Sequence, residues 1–119
     1  VTGVQTCALP IYKKQGEYKK YYLEGQLMYE VNYIDDRKEG EYKEYYDNGS
    51  KLGQIKEIGN YINGLKEGEC KTFYPEGQLD EIFYYVNDKI EGEYKNYHQN
   101  GQLETQTNFT NGLENGKNY

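Results

Sequence analysis

The sequence predicts an all-β protein, a single-layer, elongated antiparallel sheet of stacked β-hairpin repeats. Three observations carry this. A ten-residue string bounded by glycines comes back at nearly constant spacing. Inside each copy, aromatic and charged residues alternate with the period of two that a strand requires. A turn pair then closes every string.

The first string is Gly16-Glu17-Tyr18-Lys19-Lys20-Tyr21-Tyr22-Leu23-Glu24-Gly25, and close copies begin at Gly40, Gly68 and Gly92. A fifth, starting at Gly116, breaks off at Tyr119. Starts are 24 (16 to 40), 28 (40 to 68), 24 and 24 residues apart, a period and signature that mark a repeat array. Within the first strand, Tyr18, Lys20 and Tyr22 point one way and Glu17, Lys19 and Tyr21 the other. Turns follow at Glu24-Gly25, Asn48-Gly49, Glu76-Gly77 and Asn100-Gly101, the two Asn-Gly pairs being the strongest signals for a type I′ hairpin. Pro75, one step before its turn, suits a strand end because it cannot donate to a ladder.

A second strand follows in each unit and ends in an aromatic seven residues before the next glycine, namely Tyr33, Tyr61, Tyr85 or Phe109. In the first unit Leu27, Val31 and Tyr33 are expected to share a face. A two-residue loop sets Tyr22 opposite Leu27, and a three-residue loop sets Tyr21 there. Polar connections at Asp35-Asp36, Asn63-Gly64, Asn87-Asp88 and Asn111-Gly112 lead into the next unit, giving a meander of hairpins. The second unit holds four extra residues between Gly49 and Tyr61. Because four is even, Tyr61 keeps its facing, and the surplus bulges or lengthens one hairpin end, eased by Gly53 and Gly59. With two strands per unit, equivalent tyrosines recur every ~10 Å and form ladders.

Composition narrows the function. Hydrophobic residues make up 35% of the 119, and aromatics alone 16%, so a half-exposed aromatic surface is expected rather than a thick aliphatic interior. A net charge of −6 argues against phosphate-backbone binding and against attraction to an anionic membrane surface. No apolar run approaches the roughly 20 residues of a spanning helix.

Residues 1–11, Val-Thr-Gly-Val-Gln-Thr-Cys-Ala-Leu-Pro-Ile, contain no Lys, Arg, Asp or Glu and stand apart from the rest. They match, codon for codon, the in-frame translation of a short-read sequencing adapter. We therefore read residues 1–11 as non-native and 12–119 as the repeat array of a gene fragment. Cys7 falls in that segment, leaving Cys70 in the slot of Tyr18, Tyr42 and Tyr94, where it reads as a small hydrophobe. One thiol does not make a zinc site.

The string Gly-Glu-Tyr-Lys-x-Tyr-Tyr-x-Asn-Gly-Gln-Leu, followed by an aromatic and then Asn-Gly-x-x-Glu-Gly, resembles the MORN repeat. It looks most like the bacterial variant in proteins labelled YwqK-family antitoxins. The resemblance covers Gly16 to Tyr119. It implies a curved, elongated sheet of stacked hairpins that acts as a scaffold or protein-binding module, with lipid binding proposed for some arrays. The antitoxin label implies a partner toxin and carries over no catalytic residue. Cys70, His98 and the enlarged second unit depart from the pattern.

No catalytic cluster stands against that reading. His98, the sole histidine, replaces Tyr22, Tyr46 and Tyr74 as one ring for another. The carboxylates Glu17, Glu41, Glu69 and Glu93, and again Glu39, Glu67 and Glu91, repeat with the period and belong to a solvated face. No cofactor or metal is expected. The candidate partner-binding residues are Tyr18, Tyr22, Tyr42, Tyr46, Tyr74 and Tyr94, a stripe on one face. The expected function is non-enzymatic protein–protein interaction, with a toxin as the specific partner. A structural spacer of an exported bacterial protein is the first alternative, and a lipid-binding array, against the acidic balance, the second. Uncapped terminal hairpins also expose edges suited to edge-to-edge self-association.

Overall fold

A computed structural model describes residues 13–47 and 53–115, and shows one open antiparallel sheet without helix among them. β1 (Gly16–Tyr21) pairs with β2 (Leu27–Ile34), and β3 (Arg37–Tyr45) with β4 (Ile55–Ile62). β5 (Leu65–Lys66) and β6 (Gly68–Phe73) precede β7 (Leu79–Val86). β8 (Lys89–Ile90), β9 (Gly92–Tyr97), β10 (Leu103–Thr110) and β11 (Leu113–Glu114) complete the chain. The order is β1-β2-β3-β4-β6-β7-β9-β10-β11, with β5 on β4 and β8 on β7. Neighbours in sequence are neighbours in space, and the slab measures 69 × 39 × 17 Å, thin enough for one layer. Residues 1–12, the Asn48-Gly49 turn and the Gly116 unit lie outside the described residues.

The loop that closes the first, third and fourth strings has three residues. The Tyr22 N–H donates to the Gln26 carbonyl, and the Gly25 N–H donates to the Tyr22 carbonyl. Gly25 sits at φ 101°, the left-handed position of a turn that ends in a bulge. The same bonds recur at Tyr74–Gln78 and His98–Gln102. At Asn100-Gly101 only the glycine has positive φ, so the type I′ turn expected there does not form. The tight two-residue turns lie at the unit connections instead. Asp35 and Asp36 (φ 50° and 70°) and Asn87 and Asp88 (49° and 72°) both adopt the I′ conformation, which short polar side chains tolerate.

A bulge follows each three-residue loop. Lys20 faces Tyr29, but Tyr21 faces Leu27, so Met28 is the extra residue. Its insertion reverses the alternation, and Leu27 stands opposite Tyr21 rather than on the face of Val31 and Tyr33. The second unit keeps the common register, with Tyr61 opposite Gly40 as Tyr33 is opposite Gly16. Tyr46 bonds the Gln54 carbonyl where Tyr22 bonds that of Gln26, so the four extra residues lengthen the hairpin loop.

The core lies on one face of the sheet, where Val31, Tyr42, Tyr61, Cys70 and Phe83 are buried. Cross-strand pairs there match large with small: Tyr18 with Val31, Tyr42 with Gly59, Cys70 with Phe83, and Tyr94 with Thr107. Cys70 is small because the opposing ring is large. Gly59 does not ease an insertion as expected; its missing side chain makes room for the Tyr42 ring.

Candidate functional site

The tyrosines of the string fall into two settings. Tyr18, Tyr42 and Tyr94, two residues after their glycines, belong to ring clusters. Tyr18 meets Tyr29 and Tyr33 edge-on at 6.4 and 5.8 Å between centroids, and Tyr42 lies between Tyr29 (6.2 Å) and Tyr61 (5.0 Å). A second cluster joins Tyr85, Phe83, Tyr94 and Phe109. The clusters part at Cys70, where an aromatic would have bridged them. Tyr22, Tyr46 and Tyr74 instead stand at loop ends and staple unit to unit. Their hydroxyls donate to the backbone carbonyls of Tyr45, Phe73 and Tyr97, each in the next unit, at 2.6, 2.6 and 2.5 Å. The six residues therefore form no single row of free rings.

Around the junction of the clusters sits a buried polar group. The Tyr42 hydroxyl donates to Glu57 Oε2 at 2.5 Å and lies 3.5 Å from Cys70 Sγ. Burial, with the bonds to Glu57 and Cys70, pushes the Tyr42 phenol well above its ordinary range. Lys66 pairs with Glu57 at 3.7 Å and stands over the rings of Tyr42 and Tyr85 at 5.4 and 5.2 Å. Burial pulls the Lys66 ammonium down, but Tyr85 and Glu57 beside it leave it raised overall. Burial pushes the Cys70 thiol up to about 12, and its residue is 1% exposed. Such a thiol is packed and protonated, unsuited to nucleophilic attack.

Lys66 belongs to a series that sequence reasoning missed. Lys14 stands over Tyr18 and Tyr33 at 5.4 and 5.0 Å, and Lys38 over Tyr29 and Tyr61 at 5.4 and 5.1 Å. All three precede their glycine by two residues, a periodicity visible in the sequence and hidden by attention to the tyrosines. Ammonium groups over ring faces gain roughly 0.5–1 kcal/mol at exposed sites. In the first two units Lys38 and Lys66 help line an open depression of about 400 Å³, together with Tyr18, Lys20, Tyr29 and Tyr33.

Glu39, Glu67 and Glu91 were expected on a solvated face, yet each caps the next turn. Their carboxylates accept the N–H of Asn63, Asn87 and Asn111 at 2.9 Å. The second turn residue donates to the carbonyl of the lysine-series position, as in Gly64 to Lys38 and Asp88 to Lys66. His98 is exposed and 3.7 Å from Glu104. No group of three metal-ligating side chains gathers among the described residues.

An open sheet of hairpins, each unit stapled to the next through its own side chains, defines a solenoid-like repeat protein. Its units coincide with four matches to the MORN repeat variant model, at residues 14–35, 38–63, 66–87 and 90–111, and the chain belongs to that family. The segments open at Lys14, Lys38 and Lys66, so the family frame begins on the lysine series. MORN repeats are non-catalytic modules that commonly mediate interactions with proteins or membranes. Comparisons with curated proteins and with solved structures gave no match.

Proposed function

We propose that the array is a non-enzymatic protein-binding module, and that its partner is the toxin of a toxin–antitoxin pair. The observation that supports binding is the half-buried ring surface of Tyr18, Tyr29 and Tyr33 around an open depression. Rigid amphipathic rings provide contact area at low side-chain entropy. Tyr42, at 3% exposure, serves the core rather than the contact surface. Co-expression with the toxin encoded beside its gene is expected to restore growth and yield a complex. That complex should protect Tyr18, Tyr29 and Tyr33 from chemical labelling. Failure to rescue would sink the antitoxin assignment, and protection confined to the opposite face would sink the proposed contact surface.

The unit-to-unit hydroxyl bonds favour one second reading, a stiff spacer in an exported bacterial protein. Recovery of the contiguous gene is its test, which a secretion or lipoprotein signal would support. The same recovery tests whether residues 1–11 are native.

A further inference from the structure

Opposite the rings, Lys19, Lys43, Lys71 and Lys95 each pair with the glutamate two residues earlier, at 3.5 to 3.7 Å. On the ring face, Lys66 pairs with Glu57. Lys14, Lys20 and Lys38 have no carboxylate within ion-pair distance among the described residues. Over this half of the ring face, lysines 14, 20, 38 and 66 stand among Glu44 and Glu57, with Asp36 and Asp88 at the rim. The two rim carboxylates are turned to the backbone, Asp36 accepting the Lys14 N–H and Asp88 the Lys66 N–H, whereas the Lys14 and Lys38 ammonium groups stand over the rings. Lys56 and Lys89 are likewise outside any ion pair among the described residues, but Lys14, Lys20 and Lys38 are the ones gathered beside the open rings of the first two units.

Spacing refines the ligand. Lys14, Lys38 and Lys66 recur every second strand, a separation of ~10 Å. A polyproline II segment advances about 3.1 Å per residue with three residues per turn, returning a side chain to the same side every ~9.3 Å. Such segments dock on aromatic-lined grooves. We propose that the ring face of the first two units docks an extended acidic peptide with a carboxylate at every third residue. Lys14 and Lys38 receive successive carboxylates, and Lys20 adds charge between them. The assignment rests on the protein-binding reading and names the chemistry of the partner segment. A membrane fits less well, because the exposed aliphatics Ile34, Ile62, Leu65 and Val86 lie on the face opposite to Lys14, Lys20 and Lys38 and would not enter a bilayer together with them.

The test is fluorescence anisotropy with labelled (Glu-Pro-Pro)5, with (Lys-Pro-Pro)5 as control and phosphatidylserine vesicles as a separate arm. The acidic peptide is expected to bind, to weaken as salt rises, and to lose at least tenfold in affinity in the Lys14→Glu/Lys38→Glu variant. The opposite-face variant Lys43→Glu/Lys95→Glu should change it less than twofold, with circular dichroism showing both variants folded. Equal affinity in the two variants, or vesicle binding without peptide binding, would overturn the assignment. Loss of the toxin complex on Tyr18→Ala/Tyr29→Ala but not on lysine reversal would also overturn it, while leaving the protein-binding reading intact.

Discussion

Gly59→Ala isolates the ring packing that holds the sheet, because packing and backbone propensity give it opposite signs. Gly59 has no positive φ, so on backbone grounds alanine should stabilise by about 0.4–1 kcal/mol. A Cβ there would lie 2.7, 2.8 and 2.9 Å from Tyr42 Cε2, Oη and Cζ, well inside ordinary contact. The ring has no free direction of retreat. Tyr29 and Tyr61 flank it, Cys70 lies 3.5 Å from its hydroxyl, and that hydroxyl is bonded to Glu57. Overpacking costs typically about 1–3 kcal/mol, and a strained hydrogen bond to a charged acceptor adds to it. The expected net effect is a destabilisation of about 2 kcal/mol, read as a fall in Tm of about 5–15 °C. Thermal unfolding followed by circular dichroism measures it. Adding Tyr42→Phe, which removes one clashing atom, should recover part of the loss and make the pair non-additive. An unchanged or raised Tm for Gly59→Ala alone would refute the argument.

Two further outcomes follow from the same geometry. Tyr46→Phe removes the staple to the Phe73 carbonyl and should cost about 1 kcal/mol, with amide exchange rising in both joined units rather than one. Alkaline pH should destabilise the fold. The native Cys70 thiol is raised from 9.0 to about 12 by burial and Glu57, and Tyr42 is raised likewise, so the native state holds more protons than the unfolded chain above pH ~9. That stability is fully present below pH ~9 and lost as pH rises toward 12. A lower urea midpoint at pH 11 than at pH 8 is expected, and equal midpoints would contradict it.

Legibility followed the range of the interactions. Strand identity, facing of the second-unit Tyr61, and Cys70 as a small hydrophobe all rest on local alternation or direct replacement, and they were readable. The roles of Tyr22, Tyr46 and Tyr74 were not. Their hydroxyl partners lie 23 to 27 residues away on the backbone, and a backbone carbonyl has no sequence signature. The caps by Glu39, Glu67 and Glu91 were missed for a related reason, since a periodic carboxylate looks the same whether solvated or bonded to the next turn. The lysine series was in plain view, but its meaning depends on which rings lie beneath it.

The sequence by itself determined the repeat, the antiparallel meander and the aromatic face, because period, alternation and turn chemistry are encoded residue by residue. Only the tertiary structure decided which turns are tight, where the bulge reverses a strand, and which lysines remain unpaired. Those depend on contacts between units, where a neighbouring strand chooses among local conformations that the chain alone leaves nearly equal in energy.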